Sequence, residues 1–148
     1  MRIVLLIIVL TILSANGSAA NREQSLAEVR ARADAARGED CAKVCPDAAR
    51  AMTEESNSLF NQGEVENGHA AMRDAVAYAR KAAQASIESR KKQKQTEIAL
   101  RKLAKRMTDI KETLSVDDRA SVQEAIDQVE ALRSELLAAM FDMKKDKR

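Results

Sequence analysis

The stretch "EVENGHAAMRDAVAYARKAAQASIESRKKQKQTEIALRKLAKRMTDIKET", residues 64–113, decides the fold. It contains no proline, and its one glycine is Gly68. Apolar or small residues recur at alternating spacings of 3 and 4: Val65, Gly68, Met72, Ala75, Ala79 and Ala82, then Leu100, Leu103, Met107 and Ile110. In the middle the same register falls on Ser86, Ser89, Gln93 and Thr96. Such a stripe is the buried seam of a helix. The spacing predicts one helix of about 50 residues, roughly 75 Å long at 1.5 Å per residue.

The flanking segments read as helices that pack on this one. Pro46 stands at a favoured first helical position and predicts a helix over 46–62, with Ala49, Met52, Ser56 and Leu59 facing inward and Gly63 as its stop. Ser115 and Asp118 form the start of a helix over 116–143, whose inner face is Val122, Ile126, Val129, Leu132, Leu136 and Met140. A first helix over 22–37 carries Leu26, Val29, Ala33 and Ala36 and ends at Gly38. Helix formers dominate and the aromatics are only Phe60, Tyr78 and Phe141. The class is therefore all-α. The second and fourth helices each cover only half of the long one, which predicts an elongated antiparallel bundle in which a spine helix is shared by two hairpins.

Charge is segregated along the chain. Residues 80–111 hold 11 basic and 3 acidic residues, whereas 112–142 hold 2 and 8, so the two blocks complement each other. Arg101, Lys102, Lys105 and Arg106 are expected beside Glu124, Asp127, Glu130 and Glu135. The densest basic run is Arg90, Lys91, Lys92 and Lys94. It lacks the interleaved aromatics that stack on bases, which disfavours nucleic acid and leaves an anionic lipid or polymer surface as its alternative partner.

The opening "MRIVLLIIVLTILSANGSAA" has a basic residue, an apolar run of about 11 residues and a small-residue end, the layout of a secretory signal peptide. Cleavage after Ala20 leaves a single domain over 21–148 in a periplasmic or secreted protein. An uncleaved anchor is the alternative.

Chemistry is hinted at in one place, "CAKVCP", where Cys41 and Cys45 are the only cysteines. In an exported chain they are candidates for a disulfide with each other, placed at the corner between the first two helices. An intermolecular bridge and a thiol or metal site are the other readings. Zinc needs two further ligands, and the only histidine, His69, is far along the chain. Glu66 and His69 have the ExxH spacing of di-metal carboxylate bundles without a second copy. No catalytic residues, metal site, cofactor or small-molecule substrate are expected.

"LFNQGEVENGHAAMRDAVAYARKA", residues 59–82, resembles the helix-turn-helix of a tetratricopeptide repeat through Phe60, Gly63, Ala75, Tyr78, Ala79 and Ala82. The match covers one degenerate repeat, with the spacing from aromatic to glycine one residue short. It implies a tightly packed helical hairpin. The chain as a whole resembles small exported helical proteins of bacteria without an assigned activity. The function expected is that of a non-enzymatic protein that presents a long helix, or the groove beside it, to a protein partner or to a second copy of itself.

Overall fold

The computed structural model describes the backbone of residues 16–145 and the side chains of residues 25–142. Among the described residues there are five helices and no strand: α1 (Asn16–Ala35), α2 (Gly38–Asn61), α3 (Val65–Ser89), α4 (Gln93–Thr113) and α5 (Val116–Lys145). The all-α class and the bundle are as the periodicity requires. Of the segment read as a signal peptide, residues 1–15 lie outside the described residues. No described helix is long and apolar enough to cross a membrane.

The long spine helix is not formed. Arg90 and Lys92 both take left-handed backbone conformations, with φ of 56° and 57°, and the chain reverses between α3 and α4. Ser86 and Thr96, ten residues apart in sequence, share a 2.6 Å hydroxyl hydrogen bond that buries both. In a straight helix they would stand about 15 Å apart. The reversal falls where the seam is polar, because Ser86, Ser89, Gln93 and Thr96 offer little apolar area to hold a straight coiled coil together. Folding there lets the apolar halves of the seam bury each other. Two left-handed non-glycine residues cost about 1–2 kcal/mol each. Burying a few aliphatic side chains at about 1.5–3 kcal/mol each outweighs that.

The result is two antiparallel hairpins, α2/α3 and α4/α5, packed side by side. α3 lies along α5 in parallel, with His69 beside Asp118 and Arg80 reaching Gln128. α2 lies along α4, also in parallel, clamped by two hydrogen bonds from Arg106 to Glu54 at 2.7 and 2.8 Å. The core between them contains Met52, Met72, Val76, Leu100, Met107, Ile110, Val122, Val129, Leu132 and Leu136. The two hairpins expected from the sequence are present, but they fold onto each other. This also corrects the expected charge pairing. Arg106 turns to α2, and among the described residues the ion pair that joins α4 to α5 is Glu97 with Arg133 at 2.8 Å, opposite in sign to the expected pattern.

The hairpin α2/α3 is closed by a tight turn. Gly63 has φ 79°, its N–H donates to Phe60, and the Glu64 N–H donates to Leu59, which caps the last carbonyls of α2 in a Schellman arrangement. Ser56 Oγ donates to the Gly68 carbonyl at 2.7 Å. The Phe60 ring lies so close to Gly68 that a Cβ there would meet it at 2.6 Å. α1 packs on α2 and α3, with Asp34 accepting hydrogen bonds from Tyr78 at 3.1 Å and Lys81 at 2.9 Å. The Lys81 ammonium holds the Asp34 carboxyl below its usual range, and burial together with Asp34 pushes the Tyr78 hydroxyl up.

Three further boundaries differ from the sequence reading, the first being that α1 starts at Asn16 and not at residue 22. α2 starts at Gly38, so Pro46 lies inside the helix and does not begin it. α1 ends at Ala35, where Arg37 Nη1 donates to the carbonyls of Asp34 and Ala36. The corner therefore lies ahead of the cysteines.

Two substitutions test this arrangement. Arg90→Gly relieves a left-handed residue and should stabilise the protein by about 0.5–1 kcal/mol in urea denaturation. In a continuous helix the same change would destabilise by about 1 kcal/mol, so the sign decides. Gly68→Ala should destabilise by about 1–3 kcal/mol despite the better helix propensity of alanine, because the methyl overlaps Phe60.

Candidate functional site

The reversal that shapes the bundle also concentrates its positive charge. Arg90, Lys91, Lys92 and Lys94 are all exposed, and none makes a side-chain hydrogen bond or ion pair among the described residues. In a straight helix they would spiral around the axis. In the turn they occupy one end of the bundle, held by the buried Ser86–Thr96 bond, by the Thr96 N–H to the Lys92 carbonyl at 2.8 Å, and by the Lys91 N–H to Ser89 Oγ at 3.3 Å. Gln93 is buried beneath them, with its amide nitrogen unpartnered.

The neighbouring surface explains why these cations stay unpaired. The pairs Glu97–Arg133 and Lys111–Gln123 set the antiparallel register of α4 and α5. Continued along the helices, that register places residues 90–94 beside residues 136–141 of α5, which read "LLAAMF" and carry no charge. The segment of α5 beside the turn therefore offers these cations no carboxylate. At the opposite end the two other turns gather Glu64, Glu66, Glu112, Asp117 and Asp118, with Lys111 and Arg119 among them, so the α3–α4 turn is basic and the turns at the far end are mainly acidic.

Cys41 and Cys45 form an intramolecular disulfide with Cα atoms 5.1 Å apart, inside the range a bridge spans. The bridge sits within the first turns of α2, where both cysteines are buried and Cys45 Sγ lies 3.7 Å from the Ala33 carbonyl oxygen of α1. A bridged sulfur has no proton to give, so this is a packing contact. Pro46, next in sequence, cannot donate to the Ala42 carbonyl, and the bridge spans the turn that this missing bond loosens. Lys43 pairs with Glu39 and Asp40 outside it. The cysteines thus fasten the start of α2 beneath α1.

The Glu66–His69 spacing does not build a metal site. His69 is buried between the Phe60 ring, with centroids 5.1 Å apart, and Asp118, whose carboxylate is 3.6 Å from Nε2. Among the described residues no group of three or more His, Cys, Asp or Glu is arranged to hold a metal. Sequence reasoning missed His69 as a joint between α3 and the start of α5, because 49 residues separate it from Asp118.

Two grooves lie between the hairpins among the described residues. Between α3 and α5 a cleft of about 340 Å³ has Met72 and Val76 as its floor and Arg73, Arg80, Glu124 and Gln128 around it, with both signs of charge on its rim. Between α2 and α4 a second groove of about 500 Å³ runs past Pro46, Thr53, Ile98, Ala99 and Leu103 to the Glu54–Arg106 pair. Compared with known family models, curated proteins and solved structures, the chain shows no match.

The staple has a measurable weight. Closing a loop of five residues corresponds to about 2 kcal/mol in the chain-entropy model. Reduction, or the Cys41→Ser/Cys45→Ser double variant, should lower unfolding stability by about that amount. Intact mass without reductant should show the chain two hydrogens lighter than its reduced form.

Proposed function

We propose that the protein is an exported, non-enzymatic helical bundle that docks through its basic end on an anionic surface. The observation carrying this reading is the gathering on one turn of four exposed cations, Arg90, Lys91, Lys92 and Lys94, with no ion pair among the described residues. Helical sequences rich in lysine and arginine ordinarily display their charge around a solvated face. Here two left-handed residues and a buried hydroxyl pair direct it to one end, beside an uncharged helix segment. Near a surface bearing phosphate each such cation contributes about 1 kcal/mol. The acidic end points the other way, which gives the attraction a direction. The signal-like N-terminal segment supports delivery to a compartment where lipid headgroups and envelope polymers are reached. The same compartment suits the disulfide.

A protein partner is the second reading, and the groove between α2 and α4 favours it. Its half-buried Ile98 and Ala99 present apolar area between polar rims, the form of site into which an amphipathic helix can lie. The long exposed helix expected as a contact surface is not formed, because the chain reverses between α3 and α4.

Co-sedimentation separates the readings. The purified chain should bind vesicles containing phosphatidylglycerol, and soluble polyphosphate, at low salt, and should release both as salt is raised. Lys91→Gln/Lys94→Gln leaves the two left-handed positions untouched and should weaken binding roughly 30-fold. Binding to neutral phosphatidylcholine vesicles that is equally strong and insensitive to salt would remove the basic end from the function.

A further inference from the structure

We infer that the anionic surface is a lipid bilayer, and that Phe141 enters it beside the basic turn; this rests on the reading of the turn as a docking element. Phe141 is exposed over 59% of its surface, one of two large apolar residues so exposed among the described residues. The helix register gives its direction. Arg133 faces α4 through Glu97, and Leu137 and Phe141 follow at successive intervals of four, drifting outward on the same flank by about 40° per step. The axial register brings Phe141 level with Arg90–Lys92. Leu137, Ala139 and Met140 around it are half-buried and Ala138 is exposed, so the flank beside the cations is apolar.

Cations next to an exposed aromatic on an uncharged flank match an interface that offers phosphate and hydrocarbon within a few ångströms of each other. A soluble polyanion would use the cations and gain nothing from Phe141. A bilayer uses both, since interfacial binding grows with the apolar area buried and with electrostatic attraction together. The charge polarity of the bundle adds an orientation. Glu64, Glu66, Asp117 and Asp118 at the far end are repelled by anionic headgroups, so the bundle stands with α5 entering at its C-terminal turns. Neither element is sufficient alone: four surface cations bind reversibly and are screened by salt, and one phenylalanine adds a modest partition. Together they define a weak, reversible anchor.

Phe141→Trp provides the test, because the chain has no tryptophan of its own. With vesicles of phosphatidylcholine and phosphatidylglycerol, emission should shift to the blue and be quenched by lipids brominated near the top of their acyl chains. Soluble polyphosphate should bind without that shift. Phe141→Ser should weaken vesicle binding about tenfold and leave polyphosphate binding unchanged. Emission that stays at the wavelength of a water-exposed indole, while binding still depends on Lys91 and Lys94, overturns insertion and leaves the basic-end reading standing. Loss of all anionic dependence overturns both. A concentration-dependent dimer that Phe141→Ser abolishes would assign the flank to a second copy and also overturn the inference. The readout at position 141 is local, so adhesion through the apolar N-terminal segment cannot imitate it.

Discussion

The buried hydrogen bond between Ser86 and Thr96 marks the constraint on which the structure depends. Two hydroxyls that would be exposed or misplaced in a straight helix become partners across a reversal, so each satisfies the other inside the core without water. Removing that reversal would return the molecule to two separate hairpins, each with one apolar face uncovered. With it, α4 and α5 cover α2 and α3, and residues as distant as Met72 and Leu132 share one core. The strain at Arg90 and Lys92 is local, while the burial it permits extends over the whole bundle.

The remaining joints have the character of fittings around that fold. Gly68 gives way to Phe60, Glu54 clamps Arg106, and Asp34 collects Tyr78 and Lys81 to hold α1 down. The disulfide works over the shortest range, fastening a proline-weakened turn at the start of α2. Exposed ion pairs such as Arg30 with Asp74 add little individually and serve mainly to select register. The core itself is rich in alanine and methionine, so close helix approach substitutes for the bulk that aromatic side chains supply elsewhere.

In the proposed function the turn links architecture to docking. Charges that a continuous helix would spread are collected by the same backbone reversal that closes the core, and α5 supplies an uncharged neighbour with Phe141 at its outer edge. A docking end of this kind needs no cavity, cofactor or moving part. It needs only that the cations be held together without being neutralised, and the short length of α4 relative to α5 arranges this by setting apolar residues beside them.

Much of the fold could be read from residue order. Gly63 announced the end of α2, the Ser115–Asp118 pair the start of α5, and the apolar positions of α4 and α5 named the core, because each is a local matter of backbone freedom, capping or helical period. The candidate site was legible only in part. The basic run stood out by composition, and the cysteines by their rarity, but a four-residue spacing left their pairing open. The break at Arg90–Lys92 could not be read, since it contains neither glycine nor proline and interrupts no heptad. Pro46 misled for a related reason: its usual place at a helix start is a statistical preference, which packing of Cys45 and Ala48 against the core overrides. Sequence alone determined that the chain is helical and which faces are apolar, because period and propensity act over a few residues. Tertiary structure alone decided where the long seam folds and what lies beside the cations, because the free energy of closing one core from two hairpins belongs to contacts between residues far apart in the chain.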